Sequence, residues 1–350
     1  MEVRLSHRRT KRCRLLRQAG LMALMVSAAA GIAVAQVPRA QLDNGVLHVV
    51  VDLPNATDGF YRGTRFDWSG TIESLTFGGH SYYGPWFTKM DPAVNDYIFS
   101  PTGIVAGKAS ADSGPVEEFS PLGFNEAKPG ATFVKIGVGV LRKPDDSPRY
   151  DSMHDYSIIN PVAWKIRVKK TSIEFTQKIV DSGSGYGYLY SKTLRLVPGQ
   201  PRMVIEHTLK NLGRLPITTD VYDHNFTALD HQPIGPDYSI TFPVPIKFDS
   251  PPQPELGAVE GARIVYRKVF ADHDVVDVQS TFNPPQPDYD IRVENSRVKA
   301  GVRITGDHPI SQFELWSIRP VMGIEPWLHL TAAPGESIHW KYSYLYYTLP

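Results

Sequence analysis

Cysteine is all but missing from this sequence. Of 350 residues only Cys13 is one, and it stands ahead of the single extended apolar run, Leu21 to Val34. Arg4, Arg8, Arg9, Lys11, Arg12, Arg14 and Arg17 precede that run and Ala33-Val34-Ala35 closes it, the pattern of a secretory signal peptide cut before Gln36. Cys13 leaves with that leader, which excludes a disulfide framework, a thiol nucleophile and a cysteine metal site from residues 36–350. Arg8-Arg9 is followed by Thr10-Lys11-Arg12 rather than by apolar residues, which argues against a twin-arginine signal. Long apolar runs are equally scarce: Leu21 to Val34 is too short and too rich in Ala for a membrane span, and no later stretch approaches about 18 uninterrupted apolar residues. The expectation is an exported protein, periplasmic or extracellular, with no membrane segment in its mature form.

Charge of one sign is also lacking, with Lys+Arg 37 against Asp+Glu 36. Cleavage removes seven Lys/Arg and one acidic residue, turning the formal charge of +1 into −5. A mildly acidic chain offers no electrostatic footprint for nucleic acid. Helical periodicity is scarce, and Ser182-Gly183-Ser184-Gly185 reads as a turn rather than a nucleophile elbow between strand and helix. Gly-rich phosphate loops are missing as well.

What the sequence has instead is strands. Apolar and polar residues alternate in Val46–Val51, Gly70–Phe77, Thr132–Val140, Trp164–Val168, Ile173–Ile179, Lys192–Leu196, Met203–Leu209, Ile217–Phe226, Ile264–Phe270, Ile291–Val293, Gly301–Ile304 and Ser337–Tyr347, punctuated by 28 Gly and 29 Pro. This predicts an all-β fold over residues 36–350, one large antiparallel sandwich. Pro243, Pro245, Pro251, Pro252, Pro254, Pro284, Pro285 and Pro287 mark residues 243–290 as a loop-rich excursion enclosing a short hairpin near Ile264–Val278. Residues 91–128 read as similarly loop-rich. Trp340, Tyr342, Tyr344 and Tyr346 share one face of the terminal strand.

The chemistry concentrates in Tyr222-Asp223-His224-Asn225-Phe226, at the end of a strand that follows the Asn211-Leu212-Gly213 turn. A polar cluster is costly in a sheet unless its groups are paired or used. Alternation places Tyr222, His224 and Phe226 on one face and Asp223 and Asn225 on the other. Late in the chain, Gly323-Ile324-Glu325-Pro326-Trp327 sets a carboxylate amid apolar sequence, with Glu325, Trp327 and His329 on one face. Burial there raises a carboxyl pKa towards the range of a general base.

Strand-ending His-Asn-Phe after Asn-Leu-Gly, then Gly-Ile-Glu-Pro-Trp, Pro-Gly-Glu and a closing aromatic strand, resembles the aldose 1-epimerase (galactose mutarotase-like) superfamily from about Leu47 to the C-terminus. The resemblance implies a large antiparallel β-supersandwich that interconverts the anomers of a sugar, with His224 protonating the ring oxygen and Glu325 taking the anomeric proton. It implies no metal and no cofactor, and a small-molecule sugar or glycan terminus as partner. Tyr222, Phe226 and Trp327 would offer flat surfaces to sugar C–H faces. The Asn-Arg and His-Gly-Gly strings that hold the sugar in galactose mutarotases are not present; Glu118 and Lys135 are either substitute sugar contacts or a solvated surface pair. Arg65, on one strand face with Asp67, either reaches the pocket or holds a buried ion pair. Asp272-His273-Asp274 with Asp277 has metal-ligand types but reads as an exposed turn. The rival functions are a carbohydrate-binding sandwich without catalysis, and a polysaccharide lyase or glycoside hydrolase, for which the paired carboxylates of a hydrolase are not evident.

Overall fold

The computed structural model describes residues 37–161, 163–286 and 289–350, so the expected leader lies outside the described residues. Alternating runs become strands throughout. β1 (Arg39–Asp43), β2 (His48–Asp52), β3 (Ile72–Phe77) and β4 (His80–Tyr83) form an antiparallel sheet in chain order. β5 (Lys89–Met90), β6 (Tyr97–Ser100) and β7 (Gly103–Ala106) make a small sheet, followed by β8 (Gly114–Phe119). β9 (Thr132–Lys135), β10 (Gly139–Arg142) and β11 (Ile158–Pro161) make another. The chain continues through β12 (Lys165–Lys169), β13 (Ser172–Val180), β14 (Gly187–Leu196), β15 (Arg202–Asn211) and β16 (Ile217–Thr227). β17 (Tyr238–Thr241), β18 (Gly257–Glu260), β19 (Arg263–Tyr266), β20 (Val276–Gln286) and β21 (Asp290–Asn295) follow, then β22 (Ala300–Gly306), β23 (Ile310–Ile318), β24 (Val321–Ala332) and β25 (Ser337–Thr348). Two sheets dominate, a ten-stranded one ordered β12-β13-β14-β15-β25-β22-β21-β17-β19-β18 and a five-stranded one ordered β20-β23-β24-β16-β8.

Several expectations change. The run Thr132–Val140 is two strands, because the chain turns at Gly137, whose φ of +79° suits glycine and where a Cβ would lie 2.6 Å from Asp67. Residues 91–128 hold β6, β7 and β8, so this segment is not simply loop. The hairpin within 243–290 is β18–β19, upstream of its expected place, and Val276–Gln286 is a full strand paired with β23. Arg65 lies outside any strand. The Asn211-Leu212-Gly213 turn forms as expected: the Asn211 amide donates to the carbonyls of Leu215 and Ala332, and its oxygen accepts from Gly213 N–H.

One face of the five-stranded sheet packs on the ten-stranded sheet, and the contact includes buried charge. Lys192 on β14 donates to Glu117 on β8 and, at 2.7 Å, to the Ser69 carbonyl; its Nζ is 3.7 Å from Asp67. His207 on β15 sits 2.7 Å from Glu117 and stacks on Trp340 at 4.6 Å between ring centres. Asp67 also accepts from Tyr190 and Ser69, and Asp223 on β16 accepts from Tyr344 on β25. Burial alone would raise the Glu117 carboxyl, but Lys192 and His207 hold it down to about 2. Burial lifts Asp67 to about 6 despite Lys192. Trp340, Tyr342, Tyr344 and Tyr346 form the expected buried stripe beside this cluster.

Removing one partner from a buried ion cluster leaves an uncompensated charge and costs about 3–5 kcal/mol. Lys192→Met, which keeps the volume, is therefore expected to lower unfolding stability by that amount in urea titrations. A loss below about 1 kcal/mol would show that Glu117 is compensated elsewhere.

Candidate functional site

The opposite face of the same sheet carries the predicted cluster. β16 and β24 pair antiparallel, with Tyr222 opposite Trp327 and Asn225 opposite Ile324; that register puts His224 opposite Glu325. His224 Nε2 lies 3.1 Å from Glu325 Oε1, and each residue is 3% exposed. On the far side of Glu325, the register of β23 sets Glu314 opposite it. On the far side of Tyr222, β8 sets Glu118 opposite it. The period of two thus brings Glu118, Tyr222, His224, Glu325, Trp327 and Glu314 onto one surface.

Residues 60–156 cover that surface and leave a cavity of about 330 Å³, at the lower end of small-molecule pockets. Its wall includes Arg65, Glu118, Tyr222, His224, Glu325 and Trp327 from the sequence-predicted set. Phe226, also expected to face a ligand, lines the cavity too, together with Trp86, Asp96, Asp277, Glu314 and Trp316.

Aromatic rings fix the pair. His224 stacks on Phe226 at 3.8 Å between centres and meets the edges of Phe66 at 5.6 Å and Trp316 at 5.9 Å. Tyr222 and Trp327 stack at 4.3 Å, giving the cavity a flat aromatic wall. Gly323 makes room for the contact: a Cβ there would stand 2.5 Å from His224 Cε1 and 2.8 Å from Glu325 Oε1.

Arg65 reaches the cavity. Its Nε donates to Glu118 at 2.7 Å and its Nη2 to the Tyr222 hydroxyl at 2.8 Å, while Tyr222 donates to Glu118. Lys135 does not line the cavity. It is fully buried behind Glu118, donating to Glu118 at 3.0 Å and to Tyr150. Neither the sugar-contact reading nor the solvated-pair reading of Lys135 holds, because its ammonium is sealed against the back of the carboxylate that faces the cavity. Arg65 and Asp67 part company too, Arg65 turning to the cavity and Asp67 to the inter-sheet cluster.

The electrostatics of the pair follow from burial and its neighbours. Burial raises the Glu325 carboxyl well above the usual carboxylate range, and Glu314, Asp277 and Glu118 add to this against Arg65. Burial, then Arg65, holds the His224 imidazole well below its ordinary value. Both shifts favour the uncharged forms, a protonated carboxyl beside a neutral imidazole. Burial would raise Glu118 as well, but Lys135, Arg65 and Tyr222 keep it below the ordinary carboxylate value. Among the described residues, Glu325 has no polar partner besides His224, and His224 Nδ1 has none.

Three acids were not expected, Asp96 among them, from the segment read as loop-rich. Glu314 alternates with buried Phe313 and Leu315 on β23, a signal that places it on the far face but does not show what it faces. Asp277, read with Asp272–Asp274 as an exposed turn, is exposed as expected but belongs to strand β20, at the edge of the cavity; Asp274 caps its turn, accepting from Ala271 N–H. Among the described residues no three His, Cys, Asp or Glu side chains gather as a metal site, and no helix is long and apolar enough to cross a membrane. His329, on the Glu325 face, is exposed beside Asp220.

No family model matches the chain, and no curated protein does. Solved structures do. A galactose mutarotase related enzyme from Lactobacillus acidophilus matches with a TM-score of 0.51 at 11% identity, over 89% of this chain and 98% of its own. A galactose mutarotase-like protein from Lactobacillus casei ATCC 334 matches with a TM-score of 0.50 at 11% identity, over 89% of this chain and all of its own. The chain has the galactose mutarotase-like fold, as a divergent example of it.

Burial, then Asp277, pushes the Glu314 carboxyl from 4.5 up to about 7. A folded state that holds a proton the unfolded chain has released loses stability as pH rises between those values. Glu314→Gln removes that loss, so the difference in Tm, variant minus wild type, is expected to grow from pH 5 to pH 7 and level off above it in thermal melts. A difference that stays flat with pH would show that Glu314 titrates normally.

Proposed function

We propose that the chain is an exported aldose 1-epimerase-like enzyme that interconverts the α and β anomers of a sugar, with His224 and Glu325 as its proton-transfer pair. The observation that carries this reading is the 3.1 Å contact between His224 Nε2 and Glu325 Oε1 on the wall of the 330 Å³ cavity. Anomer exchange requires proton transfer at two oxygens, the C1 hydroxyl and the ring oxygen, which are bonded to the same carbon. Two groups this close address both oxygens at once. A hydrolase that admits water between two carboxylates needs a wider gap.

The chemistry balances without any further reagent. As the hydroxyl proton leaves for one member of the pair, C1 and its oxygen form a carbonyl and the bond from C1 to the ring oxygen breaks. The electron pair of that bond stays on the ring oxygen, which takes a proton from the other member. Rotation about C1–C2 turns the carbonyl, and the reverse transfers close the ring on its other face. The resemblance assigns the acid to His224. Burial favours the proton on Glu325 and a neutral His224, so in this reading Glu325 gives the proton and His224 takes one in the first half-reaction, and the roles exchange on closure. The intermediate pair, carboxylate beside imidazolium, is then stabilised by its own contact.

The Tyr222–Trp327 stack supplies a flat wall for the sugar ring. The Arg65–Glu118 pair supplies a fixed donor and acceptor for hydroxyls, with Lys135 holding Glu118 ionised from behind.

Polarimetry of fresh α-glucose, α-galactose and related sugars tests the reading. Wild type is expected to exceed the buffer rate, and His224→Ala and Glu325→Gln to lose about 10²–10⁴-fold of the enzymatic rate. Gly323→Ala is expected to lower kcat by displacing the pair while the fold is retained by circular dichroism. Saturable sugar binding that survives Glu325→Gln with no rate enhancement would favour a carbohydrate-binding protein. A wild-type rate no faster than buffer for every sugar removes the enzyme reading.

A further inference from the structure

The acids on the cavity wall are unevenly matched. Glu118 is balanced by Arg65 and Lys135. Asp277 and Glu314 have no Lys or Arg within ion-pair distance among the described residues, yet both line the cavity from adjacent strands, Asp277 opposite Trp316 and Glu314 two residues before it. Asp96, held by the Ser110 hydroxyl, stands on the same wall. Crowded like charges of this kind disfavour ionisation until a cation joins them.

Two further features point to an occupant. Glu325, 97% buried, lines the cavity with His224 as its one polar partner among the described residues. Trp86 and Trp316, with ring centres 5.6 Å apart, stand on the wall beside the acids, and Trp316 is the cross-strand neighbour of Asp277. Carboxylates together with indole faces are the surroundings an ammonium group prefers.

Resting on the anomer-exchange reading, we propose that the substrate is an amino sugar, a 2-amino-2-deoxyhexose whose ammonium sits between Glu314 and Asp277. The sheet sets the position. Glu314 is one strand away from Glu325, about 4.8 Å along the hydrogen-bonding direction. In a sugar held with C1 at the His224–Glu325 pair, C2 is the next carbon, so an amine on C2 lies within reach of the neighbouring strand. A neutral hexose leaves the two carboxyls facing each other uncompensated. An N-acetylated sugar buries an amide against them and brings no charge.

Calorimetry at pH 6 with glucosamine, glucose and N-acetylglucosamine reads this directly. Wild type is expected to bind the amine at least about ten-fold more tightly than either neutral sugar, the scale of one charge-assisted hydrogen bond. Because the ammonium draws the proton off the Glu314–Asp277 pair, binding of the amine alone is expected to release protons, seen as a heat that varies with the ionisation enthalpy of the buffer. Glu314→Gln and Asp277→Asn, checked for folding by near-ultraviolet circular dichroism, are expected to reduce both the preference and the proton release. Equal affinities for the three sugars, no binding of any, or a preference that survives both substitutions would overturn the proposal. Polarimetry on the same sugars separates the two readings. An amine bound tightly with no acceleration removes the enzyme and keeps the amine site, whereas equal acceleration of all three sugars does the reverse.

Discussion

Everything about the site depends on the two-residue period of a pleated strand. Neighbouring residues on β8 and β16 face opposite sides of one sheet, so Glu117 and Asp223 point to the ten-stranded sheet while Glu118 and His224 point to the cavity. A slip of one residue would exchange the two sets. On the inter-sheet side Lys192, His207 and Tyr344 meet the acids, and the cluster resists any shift in register because every partner would be lost together. The cavity side is left incomplete, with a carboxyl and an imidazole that have each other and little else. The charged inter-sheet face holds the strands in place, and the cavity face is left to act on a ligand.

Each member of the pair is moved away from its charged form chiefly by burial, and the pair is close enough for one proton to serve both. A dyad of this kind titrates as a unit. Arg65 works in two ways, anchoring Glu118 and Tyr222 through hydrogen bonds and opposing a positive charge on His224. Glu314 and Asp277 act in the other direction on Glu325, raising its pKa. The cavity is therefore polarised, a compensated end at Arg65 and an uncompensated acidic end at β20 and β23.

Much of this was legible in the sequence, and the remainder was hidden for definite reasons. His224 and Glu325 could be paired because each sits in a short run whose alternation fixes its face, and the order of elements resembles a known superfamily. Tyr222 and Trp327 followed from the same alternation. Arg65 was visible only as an oddity, since it lies on an irregular segment whose direction no periodicity sets. Lys135 was placed with the right partner and on the wrong side of it: sequence shows that a Lys and a Glu can meet, not which of them faces the cavity. Glu314 and Asp277 were missed because what matters about them is cross-strand register between β20, β23 and β24, a long-range property. The Pro content of residues 243–290 suggested loops, although β20 extends as far as Gln286.

The central claim is that His224 and Glu325 form one neutral, proton-sharing unit. Nitrogen-15 NMR of histidine-labelled protein, following the His224 ring from pH 4 to pH 8, tests it most directly. The account predicts a neutral imidazole down to well below pH 6.5, a rise in its apparent pKa when Arg65→Met removes the opposing charge, and a shifted signal when sugar fills the cavity. An imidazolium at pH 6.5 in the empty site, unchanged by Arg65→Met and by sugar, would contradict it.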